Sequence, residues 1–280
     1  MKYIGRYRLD AVQGVGAFAT VWRGWDEELR VPVAVKVLAD NWAHHPDVRE
    51  RFLDEARILR RIVDPRVVRV HDIGVDDDRP YFVMDFIADG TVADLIGAVE
   101  SARGVVVAEE AARAVQVLHD HDVLHRDIKP SNLLVDGPRV LVSDLGSAKR
   151  LAEASGITVT TGTPAYMSPE QIHGQALDAR SDVYSLGVLA YELITGTVPF
   201  EGTNRRAAPP ARAGARVDKV LADALATKPS DRPATAAEFA DALRSAAAPK
   251  VPIRVDAAWV MVLMLLGFLV AGIAAWVIHG

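Results

Sequence analysis

Apolar residues in the first part of the chain occur in short runs separated by turns, which is the pattern of β-strands. The runs that predict strands are Tyr7 to Val12, Thr20 to Trp25, Val31 to Leu38, Val67 to Val75 and Tyr81 to Phe86. From Val48 to Ile62 the apolar residues recur instead at helical spacing. The pattern therefore predicts a small β-rich unit whose sheet is covered by one helix.

The next part of the chain, up to about residue 245, has mainly helical spacing. The segments that predict helices are Val92 to Ile96, about Val105 to His119, and Asp182 to Leu193. Two short apolar runs, Leu133 to Val135 and Arg139 to Val142, predict a β-pair. Residues 204–216 are rich in proline, alanine and arginine and predict a loop. We therefore expect a second, larger unit built mainly of helices.

Residues 257–278 are a continuous run of 22 uncharged residues. A helix of this length, at a rise of ~1.5 Å per residue, extends over about 33 Å and can cross a lipid bilayer. Because the run has no polar face, a helix buried in a soluble core explains it less well. Basic residues at 244, 250 and 254 precede the run, which places its N-terminal side in the cytoplasm. The sequence thus predicts a single-pass protein of the cell membrane, with a linker at 246–256 and the C-terminus outside.

The predicted membrane helix carries small residues on one face. Gly267, Ala271 and Ala275 are spaced by four and would let a second helix approach closely. Glycine and alanine are also common in membrane helices that do not associate, so a plain anchor is the alternative. This face makes a homodimer possible without requiring one.

Composition narrows the class of protein. With 50% hydrophobic and 25% charged residues, the chain has the balance of a globular protein. The net charge of -5 provides no excess of cations to displace counterions from nucleic acid, so no nucleic-acid partner is expected. The absence of cysteine excludes disulfides, thiolate metal sites and cysteine nucleophiles. His119 and His121 have no further ligand types clustered around them, so we interpret them as surface or capping residues.

The strongest chemical signal is the octapeptide at 125–132, which reads H-R-D-I-K-P-S-N. Asp127 can accept or orient the proton of an attacking hydroxyl, and Lys129 can neutralise charge on a transferring phosphate. Asn132 offers an amide oxygen to a divalent ion, and Asp144, twelve residues later, offers a carboxylate. This combination of groups is typical of phosphoryl transfer to a hydroxyl.

Two features nearer the N-terminus fit the same chemistry. Gly14 and Gly16 form a turn whose backbone N–H groups could approach phosphate oxygens, although an ordinary hairpin is the better explanation of a G-x-G that stands alone. Lys36 lies in an otherwise apolar strand and therefore needs a partner. Glu55, on the helix predicted at 48–62, can provide it; the alternative is a solvated charge among neighbouring arginines.

In this order, the motifs resemble those of a bacterial eukaryotic-type (Hanks-type) serine/threonine protein kinase over about residues 7–245. The resemblance implies an α+β, bilobal protein kinase fold in a domain at 1–245, with a β-rich N-lobe at about 1–86 and a mainly α-helical C-lobe at about 87–245. It also implies ATP-dependent phosphorylation of serine/threonine hydroxyls on proteins, with ATP and Mg²⁺ (or Mn²⁺) as cofactors. With the predicted anchor at 257–278 in the lipid bilayer, this activity would serve membrane-anchored signalling.

The resemblance assigns roles to the residues that match its motifs. The catalytic set is Asp127, Lys129, Lys36 and Glu55, and the magnesium ligands are Asn132 and Asp144. The nucleotide would be contacted by Gly14, Gly16, Val21, Ala34, Lys36, Met84 and Leu134. Structural roles would fall to Thr163 beside the catalytic loop, to Glu170 as the partner of Arg232, and to Asp182 beneath that loop.

Residues 144–170 resemble the activation segment of this family and end in S-P-E. By resemblance, Arg126, Lys149 and Arg51 converge on one basic pocket, and a phosphothreonine would draw them together. Thr158 and Thr160 are the first candidates for this autophosphorylation, and Thr161 is the next.

Two other functions were weighed against a protein kinase. A pseudokinase-like membrane-tethered scaffold requires a missing catalytic residue, and none is missing. A small-molecule phosphotransferase could share Asp127, Asn132 and Asp144. The additional presence of Lys129, of Thr163 and of the S-P-E closure favours a protein substrate over a small molecule.

Overall fold

The structure is a computed structural model that describes residues 2–145, 164–200 and 210–248. The strands are β1 (Lys2–Ile4), β2 (Tyr7–Val15), β3 (Ala19–Asp26), β4 (Val31–Leu38), β5 (Val70–Asp76), β6 (Arg79–Asp85), β7 (Leu133–Asp136) and β8 (Arg139–Val142). The helices are α1 (Asp40–Ala43), α2 (Pro46–Arg61), α3 (Ser101–His119), α4 (Pro169–Ile172), α5 (Ala179–Thr195), α6 (Ala215–Ala224) and α7 (Ala236–Ala247). The chain divides into two units, Met1–Ala247 and Ala248–Gly280, and the elements all belong to the first.

The N-terminal strands form a six-stranded antiparallel sheet in the order β1-β2-β3-β4-β6-β5. Strand β4 is buried on both faces because nearly all of its residues are apolar. Val33, Val35 and Val37 face a small hydrophobic cluster on one side, while Ala34 and Leu38 face the main core on the other. The alternation puts Lys36 on the same side as the main core.

Helix α2 packs against the inner face of this sheet. Its buried residues, Val48, Phe52, Glu55, Ala56 and Leu59, recur at three- and four-residue intervals along one stripe. The rings of Phe52 and Phe82 lie 5.1 Å apart and join the helix to β6. Glu55 is thus the one carboxylate on the buried stripe, and the packing of the helix directs it towards the sheet.

The C-terminal part is organised around α5, which is buried on nearly all sides because its residues are apolar nearly all round. Helix α3 crosses α5 closely at Gly104, where a Cβ atom would lie 2.6 Å from the carbonyl oxygen of Leu193. Any larger residue would push the two helices apart. The two helices run antiparallel, so at their other ends the last residue of α3, His119, meets Asp182 at the start of α5, next to the loop at 125–132.

The observed elements correct several predicted boundaries. The predicted helix at Val92–Ile96 is a single 3-10 turn, Val92–Leu95, because Gly97 adopts a φ of +72° and ends it. The predicted strand at 67–75 starts at Val70, since Val67 instead bridges to β8 at Val142. The last two residues of the loop predicted at 204–216 form the first turn of α6, and residues 204–209 lie outside the described residues.

The predicted membrane helix, 257–278, lies outside the described residues. Within the ranges that the structure describes, no helix combines the length and hydropathy needed to span a bilayer.

Candidate active site

The loop at 125–132 rests on a buried carboxylate at the start of α5. Asp182 is 1% exposed, and its Oδ2 and Oδ1 atoms each accept a backbone N–H, from His125 and Arg126, at 2.8 Å. His119 Nε2 lies 2.9 Å from Oδ2. Burial would raise the pKa of the Asp182 carboxyl, but the hydrogen bond from His119, the electrostatic effect of the two neighbouring histidines and the hydrogen bond from the Arg126 backbone lower it overall. An ionised carboxylate therefore holds the loop from beneath.

The position of His119 differs from the prediction. It was expected on the surface or as a cap, yet its side chain is only 6% exposed. The close crossing of α3 and α5 places the last turn of α3 under the loop, next to Asp182. Periodicity alone assigned His119 to a helix end and could not show what that end packs against.

The side chains of the loop converge on Asp127. Lys129 Nζ lies 3.1 Å from Asp127 Oδ2, and Asn132 Nδ2 donates to the same oxygen at 3.0 Å. Asn132 Nδ2 also donates to the backbone oxygen of Asp127 at 2.8 Å. One side-chain amide therefore binds both the backbone and the carboxylate of Asp127. Asp127 keeps a side-chain exposure of 16%, which leaves the carboxylate accessible. A carboxylate that is held in place and accessible can orient a hydroxyl.

A second cluster of charged side chains connects the sheet, α2 and the segment after β8. Lys36 Nζ lies 2.7 Å from Glu55 Oε1 and 2.8 Å from Asp144 Oδ2. Burial would lower the pKa of the Lys36 ammonium, but the charges of Asp144 and Glu55 raise it above its ordinary value. Lys36 therefore stays protonated. The pair with Glu55 follows the sequence prediction, whereas the contact with Asp144 was not foreseen.

Asn132 and Asp144 have the donor chemistry expected of Mg²⁺ ligands. Because the amide nitrogen of Asn132 donates to Asp127, its carbonyl oxygen is the atom that can bind a cation. The backbone oxygen of Asn132 accepts from Ser143 Oγ at 3.0 Å, which fixes the residue. Among the described residues no group of three or more His, Asp or Glu could hold a metal. Oxygens from phosphates and water would complete the coordination, as Mg²⁺ commonly requires.

The residues expected to surround a nucleotide lie on adjacent strands. Val21 is opposite Lys36 in the β3–β4 register, and Ala34 is opposite Met84 in the β4–β6 register. Leu134 on β7 is partly buried against the same core as Val21. Gly14 lies near the end of β2 and Gly16 in the turn to β3, and among the described residues no heavy atom beyond the chain neighbours lies within 4 Å of where a Cβ of Gly14 would be. The backbone at Gly14 is therefore open to a ligand.

Trp42, on α1, holds the tip of this glycine turn and was missed by the sequence analysis. Its Nε1 donates to the carbonyl oxygen of Ala17 at 2.9 Å, and its ring lies 4.9 Å from that of Phe18. The backbone N–H of Ala39 donates to the oxygen of Phe18 at 2.9 Å. An aromatic residue among the polar residues after β4 was the only available signal. Because α1 directly precedes α2, Trp42 connects the glycine turn with the helix that carries Glu55.

We expect Trp42→Phe to raise the KM for the expected nucleotide, ATP, about fivefold with little change in kcat, because it removes one hydrogen bond from the turn and keeps an aromatic ring. Steady-state kinetics at varied ATP measures this effect. Trp22→Phe is the matched control, since Trp22 packs on the opposite face of the sheet. Equal KM values for both variants would show that the Trp42 hydrogen bond does not position the turn.

The start of α4 is joined to the C-terminal part by an ion pair. Arg232 Nη1 and Nη2 donate to Glu170 Oε1 and Oε2 at 2.6 and 2.9 Å. Burial would raise the pKa of Glu170, but the hydrogen bonds from Arg232 and Ser181 outweigh it and lower the pKa to about 2. The predicted partnership of these two residues is therefore present in a buried, ionised form.

The residues assigned to regulation are only partly described. Arg126 belongs to the catalytic loop and Arg51 is exposed on α2. Lys149, Thr158, Thr160, Thr161 and Thr163 lie outside the described residues. The expected convergence on a basic pocket remains a prediction.

Comparisons with known proteins agree with this geometry. The family model described as "Protein kinase domain" matches residues 7–247. The chain is 36% identical over 266 residues to the serine/threonine-protein kinase PknB of Mycolicibacterium smegmatis, covering 85% of this chain and 43% of that protein. It is 35% identical over 275 residues to Pkn1 of Myxococcus xanthus, covering 89% of this chain and 39% of that protein. The chain thus spans less than half the length of these curated relatives.

Among solved structures, the Mycobacterium tuberculosis PknI kinase domain is similar, with a TM-score of 0.70 and 27% sequence identity. The similarity covers 88% of this chain and 97% of that one. The bilobal arrangement is therefore shared along nearly the whole of that domain.

Proposed function

This chain belongs to the protein kinase domain family, and from that premise we propose that it transfers the γ-phosphoryl group of ATP to serine and threonine hydroxyls of proteins. The observation that carries the proposal is the assembly of two charged groups. Asp127 is held by Lys129 and Asn132, and Lys36 is held between Glu55 and Asp144. These two hydrogen-bonded groups contain the charges that phosphoryl transfer needs, and this supports the proposal.

In this proposal, one residue acts on the substrate hydroxyl and the others act on the phosphates of ATP. Asp127 orients the substrate hydroxyl and takes up its proton, while the adjacent Lys129 ammonium neutralises charge on the transferring group. Lys36, kept protonated by its two carboxylate neighbours, binds the remaining phosphates. Asn132 and Asp144 would hold Mg²⁺, which neutralises phosphate charge when bound. The backbone at Gly14 covers the phosphates.

The proposal is tested with the purified full chain, γ-labelled ATP, Mg²⁺ and a generic basic protein substrate. We expect label on serine or threonine of the chain itself and of the substrate, and its loss when EDTA removes the metal. ATP binding without any transfer would favour the pseudokinase-like scaffold. Label found only on small molecules would favour the small-molecule phosphotransferase, and either result would overturn the proposal.

We also propose that residues 257–278 anchor the kinase domain in the cell membrane, on the strength of the uninterrupted apolar run. The full chain should remain with the membrane fraction after a high-pH wash, whereas a chain that ends at residue 250 should be released. Release of both would remove the support for an anchor.

We propose separately that two copies pair through the face that carries Gly267 and Ala271. A bilayer association assay compares the native helix with a variant in which both residues are changed to Ile. Equal monomer signals from the native helix and the variant would oppose this pairing.

We propose that phosphorylation of Thr158 or Thr160 activates the enzyme by supplying charge to Arg126. Within the described part of the chain, the Nε atom of Arg126 is buried without a hydrogen-bond partner, and a phosphate would provide one. Replacing both threonines by Ala should lower the rate by about tenfold or more, because the basic side chains then repel one another. Mass spectrometry of active enzyme should find phosphate between residues 155 and 163; its absence there would contradict the proposal.

A further inference from the structure

The residue that directly follows the S-P-E sequence, Gln171, reaches the catalytic loop. Its Nε2 atom donates a hydrogen bond of 2.6 Å to the carbonyl oxygen of Arg126. Gln171 lies in α4, and Arg126 precedes it by 45 residues. The contact therefore joins the end of the activation segment to the residue next to Asp127.

The backbone of Arg126 has an unusual conformation that needs support. Its φ is +64°, a left-handed conformation that costs free energy for a side chain of this kind and persists only where surrounding bonds enforce it. The peptide that joins His125 to Arg126 is held by the N–H group of Arg126, which donates to Asp182 Oδ1 at 2.8 Å. The peptide after Arg126 is held at its carbonyl oxygen by Gln171.

This second peptide is also the one that carries the N–H group of Asp127. That N–H group donates to His125 Nδ1 at 3.3 Å, which is a long and therefore weak hydrogen bond. Within the described part of the chain, the Gln171 hydrogen bond to the Arg126–Asp127 peptide is thus shorter than the one from its N–H group to His125. Rotation of this peptide would turn the Cα–Cβ bond of Asp127 and move its carboxylate away from Lys129 and Asn132.

The backbone that carries Gln171 is held mainly through its neighbour Glu170, which forms the buried pair with Arg232 at 2.6 and 2.9 Å. The backbone N–H group of Gln171 also donates to the Oγ atom of the buried helix cap Ser168, at the longer distance of 3.3 Å. The donor therefore stands on a helix start that a buried ion pair fixes.

We propose that Gln171 is a positioning residue for phosphoryl transfer: it holds the Arg126–Asp127 peptide and so transmits the order of the S-P-E turn to the catalytic aspartate. The inference rests on the proposed kinase function. It concerns the orientation of Asp127 and not the binding of ATP, because the residues expected to contact the nucleotide lie on β2, β3, β4, β6 and β7 and in the glycine turn, whereas the Gln171 hydrogen bond goes to the carbonyl of Arg126. Loss of the Gln171 hydrogen bond should therefore change kcat and leave the KM for ATP nearly unchanged.

The test compares Gln171→Met, Gln171→Ala and Gln175→Ala in the full chain. Methionine keeps the length and most of the volume of glutamine but has no N–H donor. Gln175 is an exposed glutamine just beyond α4 and serves as the matched control. We expect both Gln171 variants to lower kcat about five- to tenfold, with the KM for ATP within about twofold of wild type, and the control to behave as wild type.

The outcomes separate this inference from the proposed function. A wild-type chain without phosphoryl transfer would refute the proposed function itself. An active wild type together with a fully active Gln171→Met variant would refute the positioning role alone, since packing and not the hydrogen bond would then matter. The positioning role would also be refuted if the Gln171 variants kept the kcat of the wild type and lost kcat/KM only through a higher KM for ATP. A positioning defect at Asp127 should instead lower kcat.

Discussion

Asp127→Asn should lower the rate of phosphoryl transfer by about 10²- to 10⁴-fold and leave ATP binding close to that of wild type. The amide has the shape of the carboxylate, so its oxygen can still accept from Asn132 Nδ2, which lies 3.0 Å from Asp127 Oδ2. What is lost is the negative charge that orients the hydroxyl and accepts its proton. The folded loop should therefore survive while its chemistry does not.

The measurement is kcat with a protein substrate, together with an equilibrium titration of ATP against the same full-length protein. Asp136→Asn is the matched control, because Asp136 is a partly exposed carboxylate at the β7–β8 turn that pairs with Arg139. Lys36→Met provides the contrast: it should impair ATP binding and transfer together, since Lys36 is the cation between Glu55 and Asp144. Wild-type activity of Asp127→Asn would remove Asp127 from the mechanism.

One part of this site can be predicted from the sequence, because strand β4 carries a charged residue among apolar ones. A lysine on an apolar, buried strand must find a carboxylate, and Glu55 is the one acidic residue on the buried stripe of α2. That reasoning gives the Lys36–Glu55 pair. It does not give the contact with Asp144, because the path of the chain after β8 decides that distance and no local pattern encodes it.

The contacts of Gln171 and Trp42 could not be predicted for a different reason. Each side chain donates to a backbone carbonyl, of Arg126 and Ala17 respectively. Every residue has a backbone carbonyl, so the accepting position carries no signal in the sequence. His119 shows the same limit: helical spacing placed it at a helix end, but only the crossing of α3 and α5 puts it beside Asp182.

Among the helices, the strength of the pattern decides what can be predicted. Helix α5 is apolar nearly all round, and α2 has a regular buried stripe, so both were found from the spacing alone. Helices α6 and α7 are shorter, but their buried residues also recur at three- and four-residue intervals: Val217, Leu221 and Ala224 on α6, and Ala236, Phe239, Ala240 and Leu243 on α7. The signal for these two helices was therefore present in the sequence, over fewer turns, and the sequence analysis did not use it.

The second large effect is expected at the ion pair between Glu170 and Arg232. Both side chains are almost fully buried, and the Arg232 guanidinium also donates to three backbone oxygens, those of Arg180, Ala226 and Thr227. Ser181 Oγ donates to Glu170 Oε1 at 2.7 Å. The carboxylate thus depends on Arg232 for charge compensation and cannot turn to solvent if its partner is removed.

Arg232→Met should therefore destabilise the domain by about 3–5 kcal/mol, the usual cost of leaving one member of a buried ion pair without its partner. Total stability of a domain is about 5–15 kcal/mol, so a large share would be lost. Adding Glu170→Gln should restore part of it by removing the uncompensated charge. Urea unfolding measures the change, and Arg57→Met is the matched control because Arg57 and its partner Asp54 are both about half exposed.

The same pair should make the stability depend on pH. The pKa of Glu170 is lowered to about 2 in the folded protein, so its contribution is fully present above the ordinary glutamate pKa of about 4.3. It should be lost progressively as the pH falls from about 5 towards 2, because protonation then removes the charge that Arg232 binds. The double variant with Glu170→Gln and Arg232→Met lacks this titration, so its urea midpoint should decline less steeply over that range. Parallel curves for the wild type and the double variant would show that Glu170 is not stabilised by ionisation in the folded state.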